Sequence, residues 1–411
     1  MNGKKPPLSS LPKMTPKEEI RAELIRRWNP PKKTEIVELD DAIGRVLAED
    51  LFAAVQLPVY RCSAMDGVAV KSSMFADGLP DPASMQIGED FVRADTGDDF
   101  PDAFDAVIRI EEVTLDEEQQ HILKFAPDTK VKEGTGVRGS GVFVQNGELL
   151  VKAGTVLTAS DLTAIAVGGL TQVPVIRKPV VAFIPTGSEL VPVGTTPQRG
   201  EMIDCNSVLM KHSLRELGAE PWMHPIVKDN KEQLRKAFSE ALEAGADIVI
   251  LNGGSSKGSE DFNVKVLGEF GELLYHQVST VPGRPMAAAA GDGFIGIVQP
   301  GPAAGCFNVL QWLMMPLIAH YYGIAETKPL TVRAKVLKDL PGPKPMDLLM
   351  KLHVEMDEEG NYIASPLANH HATIPQLFQT EAYFYHPKGT DLIPAGSEIE
   401  VVLLRNPGYI Q

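Results

Sequence analysis

The spacing of apolar residues divides the chain into a helical start and a series of short strands. Between residues 15 and 28, apolar positions recur at helical spacing behind Thr15 and Pro16, which predicts a short helix with Thr15 as its N-cap. The stretch 36–53 has helix-compatible periodicity and predicts a second helix that leads into an extended segment. From about 51 to 139, short alternating runs between Gly, Pro and Asp clusters are typical of a small β-rich domain.

A second helical segment follows that domain. Thr158 or Ser160 precedes a helical run that stops at Gly168, which predicts a capped helix followed by a strand. This segment is predicted to bring the chain back to the part that precedes the β-rich domain. Residues 15–50 and 140–177 are therefore predicted to form one discontinuous linker domain, helical and extended, around the β-rich domain 51–139.

Apolar strand-like runs alternate with amphipathic helix-like runs between residues 178 and 327. The predicted strands are 180–184, 247–251 and 294–298, and the predicted helices are 206–217, 230–244 and 306–322. This alternation predicts a doubly wound parallel α/β sheet, whose ligands should lie beyond the carboxyl ends of the strands. Residues 328–411 alternate apolar and polar positions between Gly and Pro turns, which predicts a final small β-barrel-like domain.

Composition and charge narrow the class of protein. A chain of 411 residues with 44% hydrophobic and 23% charged residues is expected to fold as several globular domains. The formal net charge of −15 argues against nucleic acid as a partner. No run approaches the roughly 18 apolar residues of a membrane helix, so we expect no membrane partner and a cytoplasmic protein. Cys62, Cys205 and Cys306 are widely spaced and predict small buried thiols rather than disulfides or a zinc site.

Gly-rich turns adjoin the predicted strands at one edge of the sheet. In the turn 185–190, Thr186 and the amides around Gly187 could receive an oxyanion, and Glu189 could hold a metal ion or a polar ring edge. The turn 251–261 resembles a phosphate cradle, although it matches neither a Walker A loop nor GxGxxG. Its candidate binding residues are Gly253, Gly254, Ser256 and Asp261. For Asp261, capping of the next helix is the alternative role.

Two further turns complete this edge. The turn 280–289 presents Arg284 beside Gly283, between two prolines. A guanidinium suits phosphate or another tetrahedral oxyanion, and a solvated surface arginine is the alternative. The turn 299–305 includes Pro300 and Gly301. Together the four turns outline one cleft and predict a phosphate-bearing ligand.

The β-rich domain contains turn formers of less specific meaning. Asp66-Gly67 and Asp95-Thr96-Gly97 are explained by hairpins without any function. No Ser-His-Asp order, Cys-His pair or His-rich metal cluster has a recognisable spacing, and His370-His371 is an isolated polar pair.

Seven segments resemble, in order and spacing, the successive signatures of the MoeA and gephyrin E-domain family. They are SAMDGVAV, DTGDDFPDAFDAVI, PTGSEL, GEMIDCNS, LNGGSSKGSEDF, PGRP and QPG, and they cover nearly the whole chain. The resemblance implies an elongated four-domain subunit that forms a homodimer through the linker domain, with the α/β domain of one subunit facing the β-rich domain of the other. It also implies a molybdopterin molybdenumtransferase-like enzyme of molybdenum cofactor biosynthesis. Such an enzyme hydrolyses adenylylated molybdopterin with Mg²⁺ and places molybdate on the dithiolene sulfurs.

The resemblance also implies roles for particular residues. Asp66 and Thr96 would line the cleft from one subunit, and Glu189, Asp229 and Asp261 would line it from the other. These last three carboxylates would hold Mg²⁺, which neutralises phosphate charge and polarises the bond that breaks. Asp229 lies where the family usually has two adjacent Asp residues, and capping of the next helix is its alternative role.

The chain departs from the family around the presumed oxyanion pocket. Arg284 matches the basic residue of PG[KR]P and would bind phosphate or molybdate. The departures are Val281 for a Lys, Pro302 for an Asn, Gly305 for a Ser, and Val142 and Phe143 for two acids. The final domain also lacks the usual Gly-Ser-Gly turn.

Loss of charged and hydroxyl partners weakens the binding of a dianion. We therefore expect weakened or altered molybdate binding. The alternative function is a non-catalytic paralogue that holds molybdopterin or a nucleotide-like ligand as a scaffold or sensor. An acidic scaffold without any ligand is a third hypothesis.

Overall fold

The computed structural model describes residues 13–253, 262–326, 328–342, 345–367 and 373–405. The chain forms two compact units. The smaller unit is Thr34–Ile176, and the larger unit combines the residues up to Lys33 with those from Arg177 onward. The domain boundaries proposed within these units stay a prediction. Within the described ranges, no helix is both long and apolar enough to cross a membrane.

The smaller unit is built from short strands, one α-helix and four short 3₁₀ helices. Its strands are Thr34–Glu38, Leu51–Phe52, Cys62–Ser63, Gly67–Val70, Phe91–Ala94, Ala106–Arg109, Val113–Leu115, Ile122–Phe125, Val137–Arg138, Leu149–Val151 and Gln172–Ile176, and its α-helix is Ala159–Val167. Gly67–Val70 is the central strand of an antiparallel three-stranded sheet. Val68, Val70, Phe91 and Ile108 pack in its core.

Two predictions in this unit had opposite outcomes. The capped helix is confirmed, because the Thr158 and Asp161 side chains each accept a hydrogen bond from the other's backbone N–H at the start of Ala159–Val167. The second helix predicted over 36–53 is wrong, because Thr34–Glu38 is a strand that pairs antiparallel with Gln172–Ile176. Strand pairing overrides the helical periodicity there, and the β-branched residues of this segment suit a strand.

A seven-stranded sheet forms the centre of the larger unit. The strand order is Lys13–Thr15, Glu272–Val278, Ala287–Ala290, Ile295–Gln299, Ile248–Asn252, Val180–Pro185 and Glu220–Met223. The three strands and three helices predicted here are confirmed. The sheet is mixed rather than wholly parallel, because Ala287–Ala290 is antiparallel to both neighbours. Its short connection from Glu272–Val278 cannot form the long crossover that a parallel pair requires.

Helices cover both faces of this sheet. They are Lys17–Arg27, Asn206–Glu216, Lys231–Glu243, Phe262–Phe270, Ala303–Val309 and Met315–Tyr322, the last two joined through the π-helical turn Leu310–Met314. We call the continuous segment from Ala303 to Tyr322 the long helix. Leu234, Phe238, Val264 and Leu267 pack on one face of the sheet.

The predicted N-cap of the first helix is wrong. Thr15 ends an edge strand that pairs parallel with Glu272–Val278, and Pro16 occupies the cap position. The Thr15 side chain is buried, so it is not free to cap the helix. Lys17–Arg27 then packs Ile20 and Leu24 into the core.

The C-terminal part of the larger unit is a closed five-stranded barrel, as the sequence predicted. Its strands are Thr331–Val336, Asp347–Met356, Tyr362–Pro366, Ala382–His386 and Glu398–Leu403. Closure results from the pairing of Asp347–Met356 with both Tyr362–Pro366 and Ala382–His386. A short strand pair, Leu340–Pro341 with Leu392–Ile393, and a short helix, Ile374–Phe378, accompany it. Thr280–Val281 adds parallel to Asp347–Met356 and joins the barrel to the PGRP turn.

Candidate active site

A cleft of about 820 Å³ opens in the larger unit at the carboxyl edge of the sheet. This is the edge at which the sequence placed a ligand. The predicted site residues that line it are Thr186, Gly187, Glu189, Asp229, Gly253 and Gly301. They come from turns that follow four neighbouring strands, so the structure brings distant parts of the chain to one cavity.

Two buried asparagines hold these turns together. The Asn252 Nδ2 donates to the carbonyl oxygen of Pro300 at 2.9 Å, and its Oδ1 accepts from the Asn206 Nδ2 at 2.9 Å. Asn206 also donates to the Gly301 carbonyl oxygen at 2.6 Å, and Thr186 Oγ1 donates to the Asn252 carbonyl oxygen at 3.1 Å. Satisfied buried polar groups of this kind fix the backbone around them. Neither asparagine has a role that the sequence predicted.

Glu189 and Asp229 bring two carboxylates to the same cleft. The Asp229 Oδ2 accepts from the Ser188 backbone N–H at 3.0 Å, and the Ser188 Oγ accepts from the Asp229 N–H at 3.2 Å. The Glu189 carboxylate folds over Gly187, where an added Cβ would lie 2.7 Å from its Oε1. Lys228 Nζ donates to the carbonyl oxygen of Ser188 at 3.0 Å and supports this loop.

The capping alternative for Asp229 is wrong, because its neighbour performs that role. The Asn230 side chain accepts from the Gln233 backbone N–H at 3.0 Å and caps the helix Lys231–Glu243. Asp229 is exposed and hydrogen-bonds the turn that carries Glu189 instead.

Substitutions at Asp229 and Asn230 are expected to affect different properties, activity for the first and stability for the second. Asn230→Ala should lower the free energy of unfolding by about 1 kcal/mol, because it removes a helix cap. Asp229→Asn should change stability little and reduce ligand-dependent activity, because it removes a cleft charge. Urea unfolding and turnover of both variants measure this, and equal loss of activity in the two would contradict it.

Part of the predicted site lies outside the described residues. Gly254, Ser256 and Asp261 are in that segment, as are His370 and His371. Among the residues described, no group of three or more His, Cys, Asp or Glu side chains could hold a metal ion.

The PGRP turn lies beside the cleft and packs against the turn 299–305. Gly283 has a φ of 113°, and a Cβ there would lie 3.4 Å from the Pro300 Cγ and 3.5 Å from the Gly305 Cα. Arg284 is exposed. Gly283, Arg284 and Pro300 are not among the residues that line the cleft itself.

The packing around Gly305 explains why no side chain is present at this position. A Cβ on Gly305 would lie 2.9 Å from the Pro300 Cγ and 3.3 Å from the Gly283 Cα. Gly305→Ser is therefore expected to destabilise the protein by about 1–3 kcal/mol through overpacking. Gly301→Ser is the control, since the nearest atom to its Cβ would be the Gly253 Cα at 3.8 Å. Urea unfolding compares them, and equal midpoints would contradict the steric argument.

The rest of the cleft wall is largely apolar. It includes Leu190, Met202, Ile203, Phe262, Pro302, Ile374 and Leu377. Ile374 and Leu377 come from the short helix of the C-terminal part, a contribution that the sequence did not indicate. Cys205 also lines the cleft and is only partly buried, whereas Cys62 and Cys306 are buried, and all three are free thiols. Burial raises the pKa of the Cys205 thiol.

In the smaller unit, Asp66 and Thr96 form an exposed hydrogen-bonded pair. The Asp66 Oδ1 accepts from the Thr96 backbone N–H and from its Oγ1, both at 2.8 Å. The hydrogen bond from the Thr96 backbone N–H, and after it the bond from the Thr96 hydroxyl, lowers the pKa of Asp66. The carboxyl group is therefore kept ionised. Val142 and Phe143, where the family resemblance leads us to expect two acids, are exposed.

Comparison with known proteins identifies the family. Residues 15–169 match the family described as the MoeA N-terminal region (domain I and II), and residues 182–320 match a probable molybdopterin binding domain. Over 324 residues the chain is 31% identical to the molybdopterin molybdenumtransferase of Haemophilus influenzae, covering 76% of this chain and 78% of that one. The molybdopterin molybdenumtransferase of Nostoc sp. is 28% identical to this chain, and the match covers 97% of this chain and 95% of that one.

A solved structure gives the same result for the fold. The crystal structure of a molybdopterin biosynthesis MoeA protein from Pyrococcus horikosii matches with a TM-score of 0.78 and 25% identity, covering 96% of this chain and all of that chain. With the cleft, these matches place the protein in the class of α/β transferase enzymes. The chain belongs to the MoeA family. The predicted family, fold class and enzyme class are thereby confirmed.

Proposed function

We propose that this MoeA-family enzyme, which acts in molybdenum cofactor biosynthesis, hydrolyses adenylylated molybdopterin and transfers molybdate to its dithiolene. The observation that carries the proposal is the pair of carboxylates, Glu189 and Asp229, in a cleft formed by Gly-rich turns at the carboxyl edge of the sheet. Such edges bind nucleotide-like ligands in doubly wound folds. A volume of about 820 Å³ is in the range of small-molecule sites.

The two carboxylates fit Mg²⁺, which prefers charged oxygen ligands. Glu189 and Asp229 would hold the ion, with Asp261 as the third ligand implied by the family. Mg²⁺ bound there would offset the charge of the phosphate oxygens. The chain's own part is to position the ligand, because Asn206 and Asn252 fix the turns that face it. The apolar wall would exclude water from the bound pterin.

Arg284 is the residue proposed to bind molybdate or phosphate. Its guanidinium is exposed, and we find no hydrogen bond or ion pair to it from the described parts of the chain. A free guanidinium can donate two parallel hydrogen bonds to an oxyanion. Val281 and Gly305 offer no further donor side chain beside it. We therefore infer that molybdate binds more weakly than it would with a lysine and a serine at these positions.

The smaller unit is proposed to complete the site in a homodimer. Asp66 and Thr96 are exposed and preorganised by their mutual hydrogen bonds. They are proposed to face the cleft of a second subunit, with the ionised carboxylate of Asp66 directed at the substrate.

The test is to incubate the purified protein with adenylylated molybdopterin, Mg²⁺ and molybdate, and to follow AMP release and molybdenum incorporation together. Appearance of both, dependent on Mg²⁺, supports the transferase. Tight pterin binding without AMP supports the non-catalytic paralogue, which the replacements at Val142, Phe143, Val281 and Gly305 favour. If neither pterin binding nor AMP release is observed, both the transferase function and the non-catalytic binding function are wrong.

A further inference from the structure

A buried hydrogen-bonded chain connects the barrel to the turn that carries Arg284. Its centre is Asn308, which is fully buried on the long helix. The Asn308 Nδ2 donates to the carbonyl oxygen of Pro282 at 2.7 Å and to the Thr280 Oγ1 at 3.2 Å. The Asn308 Oδ1 accepts from the Tyr385 hydroxyl of the barrel at 2.7 Å.

Asn308 holds the middle of the turn, whereas backbone pairing holds its two sides. Before Pro282, Thr280–Val281 pairs with a barrel strand. After it, the Arg284 carbonyl oxygen accepts from the Val278 N–H at 3.1 Å. The amide of Asn308 therefore fixes the bend from which the Arg284 side chain projects.

The Tyr385 hydroxyl anchors Asn308 in the orientation that points its Nδ2 at Pro282. Without that hydroxyl, the Oδ1 would be a buried acceptor with no donor, which costs free energy. The amide orientation that bonds Pro282 would then be less strongly preferred. Burial raises the pKa of Tyr385 well above its ordinary value and keeps the phenol protonated.

Tyr385 is itself held in place. The Lys17 Nζ lies 4.4 Å from the centroid of its ring and forms an ion pair with Asp347 at 2.7 Å. Asp347 lies on the barrel strand that pairs with Thr280–Val281. The phenol, the asparagine and the turn therefore form one connected unit.

We propose that Tyr385 is a positioning residue that acts through Asn308 to hold Arg284 for oxyanion binding. The inference rests on the proposed function, since it assigns Arg284 to molybdate or phosphate. It adds a source of preorganisation in a pocket that has lost a lysine and a serine. A fixed backbone holds the base of the Arg284 side chain in place, so less conformational entropy is lost when its guanidinium binds an oxyanion.

Tyr385→Phe tests this, with Tyr383→Phe as the matched control. Both changes remove one hydroxyl from the same face of the same strand. The Tyr383 hydroxyl donates at 3.3 Å to Gln311 of the long helix and makes no hydrogen bond to the turn. Backbone amide exchange over residues 280–286 is measured without ligand. The molybdate concentration for half-maximal molybdenum incorporation, and the rate at saturation, are measured with turnover.

Tyr385→Phe is expected to speed exchange over 280–286 and to raise the half-saturating molybdate concentration roughly three- to tenfold. The saturated rate should stay within about twofold. Tyr383→Phe should match the unmodified protein in amide exchange, in half-saturating molybdate concentration and in saturated rate. Equal behaviour of the two variants, or a fall in the saturated rate alone, overturns the inference. If the unmodified protein releases no AMP, the proposed function fails, and amide exchange with direct molybdate titration still decides the role of Tyr385.

Discussion

Glu189→Gln is expected to reduce AMP release from adenylylated molybdopterin by roughly a hundredfold or more. The carboxylate lines the cleft and folds over Gly187. Its amide replacement is nearly the same size and carries no charge, so the fold is retained and the proposed Mg²⁺ ligand is lost. The Mg²⁺ concentration for half-maximal AMP release should rise strongly, and a magnesium titration of both proteins measures this.

Glu220→Gln is the control for this prediction. Glu220 is exposed and begins a strand of the same sheet, at the amino edge that is opposite to the cleft. It should leave both the rate and the magnesium dependence unchanged. A Glu189→Gln enzyme with unaltered magnesium dependence would show that the carboxylate does not bind the ion.

Lys351→Met is expected to stabilise the protein, and most strongly below neutral pH. Lys351 is 8% exposed, its Nζ lies 3.3 Å from the centroid of Phe307, and in the described chain the Nζ has no hydrogen-bond partner. Burial lowers its pKa from 10.5 to about 7. At 1.36 kcal/mol per pKa unit, the buried ammonium costs on the order of 5 kcal/mol, reduced by its contact with the ring.

The pH dependence has a definite sign. Between pH 7 and 10.5 the unfolded chain binds the Lys351 proton and the folded chain does not, so stability rises with pH in this window. The gain from Lys351→Met should therefore be largest below pH 7 and should shrink as pH rises toward 10.5. Urea unfolding across this range measures it. Lys335→Met, at an exposed position of another barrel strand, is the control, and a gain independent of pH would contradict the prediction.

The sequence was most informative where apolar runs are long. Val180–Pro185, Ile248–Asn252 and Ile295–Gln299 are central strands, buried on both faces, and their composition leaves little alternative. Ala287–Ala290 was missed because four alanines carry no strand pattern, and its place is decided by pairing with both neighbours. The helix predicted over 36–53 was wrong for a related reason. Thr34–Glu38 is a strand because it pairs with Gln172–Ile176, which is more than 130 residues away in the chain.

The residues of the candidate site could likewise be predicted only where the signal is local in the sequence. Glu189 could be named because its turn directly follows a strand. The roles of Asn206 and Asn252 could not, because each hydrogen bond that defines them joins residues 46 or more positions apart. Local sequence also left two roles open for Asp229, and the observed cap by Asn230 excludes the capping role.

The strand pair that begins and ends the smaller unit has a consequence for how the chain is organised. Thr34–Glu38 and Gln172–Ile176 are neighbours in one ladder, and just outside it the Arg177 N–H donates to the Lys33 carbonyl oxygen at 2.8 Å. The polypeptide thus leaves the larger unit and re-enters it at almost the same point. The smaller unit is thus inserted within the sequence of the larger one, and this closeness of its two ends is the geometry in which one domain can be inserted into another without disturbing the host.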